Sequence, residues 1–148
     1  MKNAYSILVA ILERYNRYER FLKYPGDWGE RAFRGWLMFD LFHQYLGWSI
    51  EHIVFGERFD VLLVNEEIKP VINIETKKPG NDLVGYEDFR KRLNVYQTLY
   101  YAILTDGHEW LCMDCGDKKE NKFDISQGEE LFENFLKPFW SKRYIVGK

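Results

Sequence analysis

Apolar residues recur with two different periods along this chain, and the change of period divides it. Between Ala4 and Lys23, Leu8, Ile11, Leu12, Tyr15, Tyr18 and Leu22 return at three- and four-residue steps. Glu13, Arg14, Asn16, Arg17 and Arg20 fill the other positions. That spacing predicts an amphipathic helix, ended by Pro25 and Gly26 in "YPGD". A second helix is expected to start at "DWGE", where Asp27 can cap it and Glu30 stands three residues on, as in a capping box. Phe33, Trp36, Leu37, Phe39, Leu41, Phe42, Tyr45 and Leu46 then form a broad apolar surface up to Gly47, a natural C-cap.

Beyond Gly47 the period shortens to two. "WSIEHIVF" reads as a strand; "RFDVLLVN" and "VINIETKK" follow as two more, joined through "EEIKP" as a hairpin. "PGNDLVGY" is a loop, and a helix is expected from about Tyr86 to Thr105, ended by "TDG". "HEWLCMDC" is a fourth strand, "NKFDIS" a candidate fifth, and "EELFENFLKPFW" a closing helix. The order ααβββαβ(β)α predicts an α/β fold with a mixed sheet of four to five strands flanked by helices, in one domain over 1–148.

Composition narrows the partners. Of 148 residues 46% are hydrophobic, 18% aromatic and 30% charged, with a net charge of −2, so the chain is neither disordered nor broadly basic. A nucleic-acid binder of this balance must gather its positive charge on one face. Candidates are Lys77 and Lys78, Arg90, Lys91 and Arg92, and Lys142 with Arg143. No apolar run is long enough to span a bilayer. "AYSILVAIL" runs straight into "ERYNRYER" with no small-residue cleavage site, so a helix of the fold is expected there, and a cytoplasmic location with it. Two cysteines, Cys112 and Cys115, make no disulfide scaffold. Three apart on a strand they face opposite sides, and no second pair completes a zinc or iron–sulfur site within one chain. A site shared between subunits is the alternative. His43, on the aromatic helix, is expected as a packed or surface residue and not as a general base, and His52 and His108 have no partner signature.

The hairpin carries the chemistry. Fourteen residues separate Asp60 from Glu75, so antiparallel pairing about "EEIKP" brings them toward one end of the sheet. The two-residue period points Glu75 and Lys77 the same way. Neighbouring carboxylates repel unless a cation neutralises them. A hard divalent ion such as Mg²⁺ does so through oxygen ligands, and an adjacent lysine can hold the attacking water and screen charge on phosphorus. Asp, Glu and Lys so grouped suit cleavage of a phosphodiester.

"RFDVLLV…PVINIETKK" resembles the PD-(D/E)XK nuclease signature, in the form found in the nuclease domain of type I restriction enzyme R subunits. Glu30 before "YLGW", then Gln97 with Tyr101, and then "TDGHEW" are similar to further phrases of that family, in the same order. The resemblance implies a restriction-endonuclease-like fold. It makes Asp60 and Glu75 metal ligands with the carbonyl of Thr76, and Lys77 the catalytic lysine. Glu30 would approach the metal directly or through water. Gln97 and Tyr101, four apart on one expected helix face, would support the site and touch substrate. No G-x-x-x-x-G-K-[ST] loop occurs, so the family's motor is absent from this sequence.

Each residue also has a plainer reading. Glu30 serves equally as the capping-box acid; Gln97 and Tyr101 as packing residues; Glu75 and Lys77 as a surface pair; Lys78, Arg90, Lys91 and Arg92 as a solvated helix end. Taken together, the residues predict a Mg²⁺-dependent deoxyribonuclease, with Mn²⁺ able to substitute. Its partners would be DNA, a second copy in a homodimer, or a separate motor or specificity subunit, with no membrane. A catalytically silent DNA-binding or assembly module of the same fold, and a nuclease acting on RNA, are the competing expectations.

Overall fold

The computed structural model describes residues 2–22, 28–56, 59–80, 83 and 97–145. Helix α1, Ala4–Leu22, buries Ala4, Leu8, Ile11, Leu12 and Tyr15 in one stripe at helical spacing. Tyr18 continues that spacing but is 42% exposed, so the buried stripe stops before the helix does. Helix α2, Trp28–Trp36, runs on into Leu37–Tyr45, where the coil widens to π geometry. Leu46 N–H bonds the carbonyl of Leu41, five residues back, and Trp48 N–H reaches that of Phe42. Leu37, Met38, Leu41 and Phe42 are all buried. Phe39, expected on the apolar surface, is half exposed. Gly47 takes a left-handed φ of 85°, as a C-cap glycine does. Asp27, the expected N-cap, lies outside the described residues.

Six strands form one sheet in the order β1-β2-β3-β4-β5-β6. They are β1 Ile53–Phe55, β2 Val61–Val64, β3 Pro70–Thr76, β4 Tyr101–Thr105, β5 Glu109–Asp114 and β6 Glu120–Asp124. β3 and β4 run parallel, and every other neighbouring pair is antiparallel. Helix α3, Glu129–Leu136, follows. The fold is α/β with a mixed sheet flanked by helices, compatible with a restriction-endonuclease-like architecture, and has one strand more than the sequence predicts.

That strand is β4. "YAILT" was expected to end the helix from Tyr86 to Thr105, and it pairs beside β3 instead. Ile103 faces the main core while Ala102 and Leu104 face a second cluster. A strand covered on both faces reads as one apolar run, and periodicity does not separate it from a buried helix. The rest of that predicted helix, 86–96, lies outside the described residues. Two other strands are shorter than expected. In "WSIEHIVF", Ile50–His52 is a 3₁₀ turn capped by Ser49, whose Oγ accepts from Glu51 N–H at 3.3 Å. Among the described residues of "RFDVLLVN" the strand is Val61–Val64, and Asp60 sits in a bend just before it. The hairpin itself forms as predicted: Asn65 Oδ1 accepts from Glu67 and Lys69 N–H at 2.9 and 3.1 Å, an Asx turn that holds the reversal.

One face of the sheet carries Val61, Leu63, Ile72, Ile74, Ile103, Trp110 and Phe123 against the helices. The other carries Ala102, Leu104, Leu111 and Met113. Cys112 joins the first cluster and Cys115 packs on the second, both as free thiols, so the pair does divide between faces. Burial pushes the Cys112 thiol from about 9 up to about 12. Burial likewise raises Tyr15, Tyr45, Tyr101 and Tyr144. All are neutral when protonated, so above about 9 the unfolded chain releases protons that the folded chain keeps. Stability is therefore expected to be flat near neutrality and to fall as pH rises through about 9 to 12, read as a declining urea midpoint. His43 and His52 are structural: their Nδ1 atoms lie 2.6 and 2.9 Å from the carbonyls of Trp48 and Val64.

Candidate active site

The site is built where β3 leaves the sheet. Pairing of Ile74 with Val61 sets the hairpin register, and continuing it one residue past β2 brings Asp60 opposite Glu75. Along β3, Ile72 and Ile74 face the helices. Thr76 shares their face by the two-residue period, and Glu75 and Lys77 share the other. Glu75 is buried, as is Thr76, while Lys77 is half-buried and Lys78 exposed. Lys77 N–H bonds Thr105 O at 2.9 Å, extending the β3–β4 ladder one residue past the strand.

"TDGHEW" fixes the neighbouring strand ends. Thr105 Oγ1 donates to Glu109 O at 2.8 Å and accepts from Gly107 N–H at 2.8 Å. Trp110 Nε1 donates to Gly107 O at 3.1 Å. Gly107 has φ of 93°, and a Cβ there would meet Leu12 Cδ2 at 2.8 Å, so the turn admits only glycine. The phrase acts as a bracket that holds the end of β3.

Across the end of β3 lies a polar cluster. Asp60 Oδ2 accepts from Thr76 N–H at 2.8 Å and from its hydroxyl at 3.4 Å. Asp60 Oδ1 lies 3.1 Å from Arg34 Nη2. The same guanidinium pairs with Glu30, four residues earlier on α2, and its Nε donates to Thr76 Oγ1 at 2.9 Å. Arg34 thus neutralises two carboxylates and fixes a buried hydroxyl. Its pairing with Glu30 was legible as an i,i+4 pair; its bridge to Asp60 crosses from helix to hairpin and has no local signature.

The structure joins Glu30, Asp60 and Thr76 through Arg34, and sets Glu75 and Lys77 on the adjoining face of the same strand end. Gln97 and Tyr101 are not on one helix face. Gln97 is exposed in a turn, and Tyr101 opens β4, half-buried with its ring edge-on to Phe139 at 5.5 Å. Gln97 lies in the turn before β4 and Tyr101 is the first residue of that strand, so no helical face holds the pair. Arg90, Lys91 and Arg92 lie outside the described residues.

The available donors are carboxylates and a backbone carbonyl, the hard oxygen set that Mg²⁺ takes. They fit in kind. In arrangement, no three His, Cys, Asp or Glu side chains converge among the described residues, and the positive charge between Glu30 and Asp60 is that of Arg34. Arg34→Met is therefore expected to leave two like charges side by side. Stability should drop by about 2–3 kcal/mol, below the full cost of breaking a buried pair because both acids are partly exposed. Added Mn²⁺ should raise the melting temperature of the variant more than that of the parent chain, checked by calorimetric scans.

A cavity of about 700 Å³, lined by Leu83, Leu111, Lys122 and Gln127 among others, lies along β5 and β6, and none of the predicted site residues lines it. Glu109, Glu120 and Asp124 are among its lining residues, with Lys122 as the one lysine. No helix among the described residues is long and apolar enough to cross a membrane. No family model and no curated protein matches the chain. Among solved structures it is similar to a chain of the DrdV–DNA complex determined by cryo-electron microscopy, with a TM-score of 0.55 and 17% identity. The match covers 90% of this chain and 14% of that one, so the likeness is one of fold over a small part of a much longer protein.

Proposed function

We propose that this chain is a metal-dependent nuclease module that hydrolyses DNA phosphodiester bonds, using the end of β3 as its centre. The observation that carries the reading is the clamp of Asp60 onto Thr76 N–H, which pins one carboxylate to the residue between Glu75 and Lys77. The α/β fold supports it, as does the fold likeness to a protein caught on DNA. Asp60, Glu75 and the Thr76 carbonyl would hold Mg²⁺ or Mn²⁺, with Glu30 binding directly or through water. When bound, the ion acidifies water and withdraws charge from a phosphate oxygen. Lys77 Nζ would hold the attacking water and screen the charge that builds on phosphorus. Arg34 would balance Asp60 and Glu30 when the ion is absent. Lys78, Arg90, Lys91 and Arg92 would meet phosphates. No motor loop is present in the sequence, so translocation and choice of site would fall to other domains or subunits, or to a second copy.

One observation favours a second reading. Arg34 already satisfies Asp60 and Glu30 without a metal, as a catalytically silent DNA-binding module would need. Incubating plasmid and single-stranded DNA with Mg²⁺ or Mn²⁺, with and without chelator, separates the two. Cleavage that chelator stops supports the nuclease; intact DNA under both metals leaves the silent module.

A further inference from the structure

The end of the α1–α2 pair nearest Glu30 carries side chains that neither the fold nor the chemistry uses. Tyr18 and Phe21 on α1 and Trp28 on α2 are 42%, 65% and 51% exposed, unusual for large aromatics. Each has an arginine over its ring. Arg17 Cζ is 5.9 Å from the Tyr18 centroid, Arg20 Cζ 4.7 Å from that of Phe21, and Arg31 Cζ 5.5 Å from that of Trp28. Among the described residues Arg17 and Arg20 have no carboxylate partner. Glu19, the nearest acid in sequence, acts on Tyr15 at the buried stripe. Five residues join α1 to α2, so the three aromatics sit at the same end of the packed helix pair. Trp28 precedes Glu30 by two residues, and Lys78, leaving β3, runs beside Gly29.

We infer that this arginine–aromatic ridge binds unpaired nucleic-acid bases and leads a single strand toward the end of β3, a substrate preference that rests on the proposed nuclease reading. A ring covered on one side by a guanidinium keeps its other face for a base, and the guanidinium meets the phosphate beside it. In a duplex both base faces are already stacked, so the ridge selects single strands, flaps or frayed ends. The chain's net charge is −2, so these arginines are a local feature and not a general basic surface. Arginine with Tyr and Trp also marks protein interfaces, and the test includes that outcome.

Fluorescence anisotropy in chelator, where nothing is cut, compares labelled oligothymidine, a duplex of equal length and an abasic strand. Oligothymidine is expected to bind tightest. Phe21→Ala and Trp28→Ala should each weaken it by about fivefold to a hundredfold and leave the abasic strand unaffected. Arg17→Gln with Arg20→Gln should weaken all three probes and flatten the salt dependence. Equal affinity for the three probes, with Phe21→Ala silent, overturns the inference. So does self-association in sedimentation that Phe21→Ala abolishes, since the ridge would then be a protein contact. Base-dependent binding by a chain that never cuts contradicts the nuclease and leaves the ridge standing, while cutting with a preference for duplex does the reverse.

Discussion

Lys77→Ala is expected to reduce DNA cleavage by about a hundredfold to ten-thousandfold, the range for losing one positioned proton-handling group, with little change in stability. Two features make it the cleanest variant at the site. The Lys77 backbone N–H, not its side chain, bonds Thr105 and continues the ladder, so truncation leaves the strand end in place. Its side chain is half-buried and takes no part in the Arg34 network. Asp60→Ala is less clean. It removes the acceptor of Thr76 N–H and one of the two carboxylates on Arg34, so lost cleavage would mix chemistry with unfolding. Glu75→Gln keeps shape and volume, and should lose cleavage to a similar extent. Initial rates on supercoiled plasmid, with urea unfolding of each variant alongside, separate the two effects.

The second large effect lies under the site. Trp110 is 1% exposed, meets Phe132 and Phe135 edge-on at 5.2 and 6.0 Å, and donates to Gly107 O. Trp110→Ala opens a cavity beneath the turn that braces the end of β3 and is expected to cost about 3–5 kcal/mol. That is a large share of the roughly 5–15 kcal/mol total typical of a domain. Trp28→Ala, at an exposed ring, should stay within about 0.5 kcal/mol. Urea midpoints followed by circular dichroism would show the contrast, and equal losses in the two would contradict the packing described.

How far the residues foretold these features depended on what kind of signal each one leaves. α1 was legible because Leu8, Ile11, Leu12 and Tyr15 repeat on one helical face and local spacing sets that face. The β2–β3 hairpin was legible because Asn65 and its neighbours specify the turn and Val61 to Val64 and Val71 to Thr76 flank it. β4 was not, because its partners on both faces are distant in sequence and erase the period of two. Taking it for the end of a helix then placed Gln97 and Tyr101 on a shared face that does not exist. Arg34 was missed for a related reason: its meaning comes from Asp60, which only the folded hairpin brings within 3.1 Å. That Asp60 reaches the end of β3 was readable from the turn position, and the shared face of Glu75 and Lys77 from the pleat; one site common to all three, and its chemistry, stand as our proposal.

The carboxylates at this strand end are proposed to hold one divalent ion. Titrating Mn²⁺ into the DNA-free chain, with free Mn²⁺ followed by electron paramagnetic resonance, tests it directly. The expected result is saturable binding at one site, weakened at least about tenfold in Glu75→Gln and in Asp60→Asn because each removes one charged ligand. Saturable binding that both variants retain, or no saturable binding at all, would contradict it.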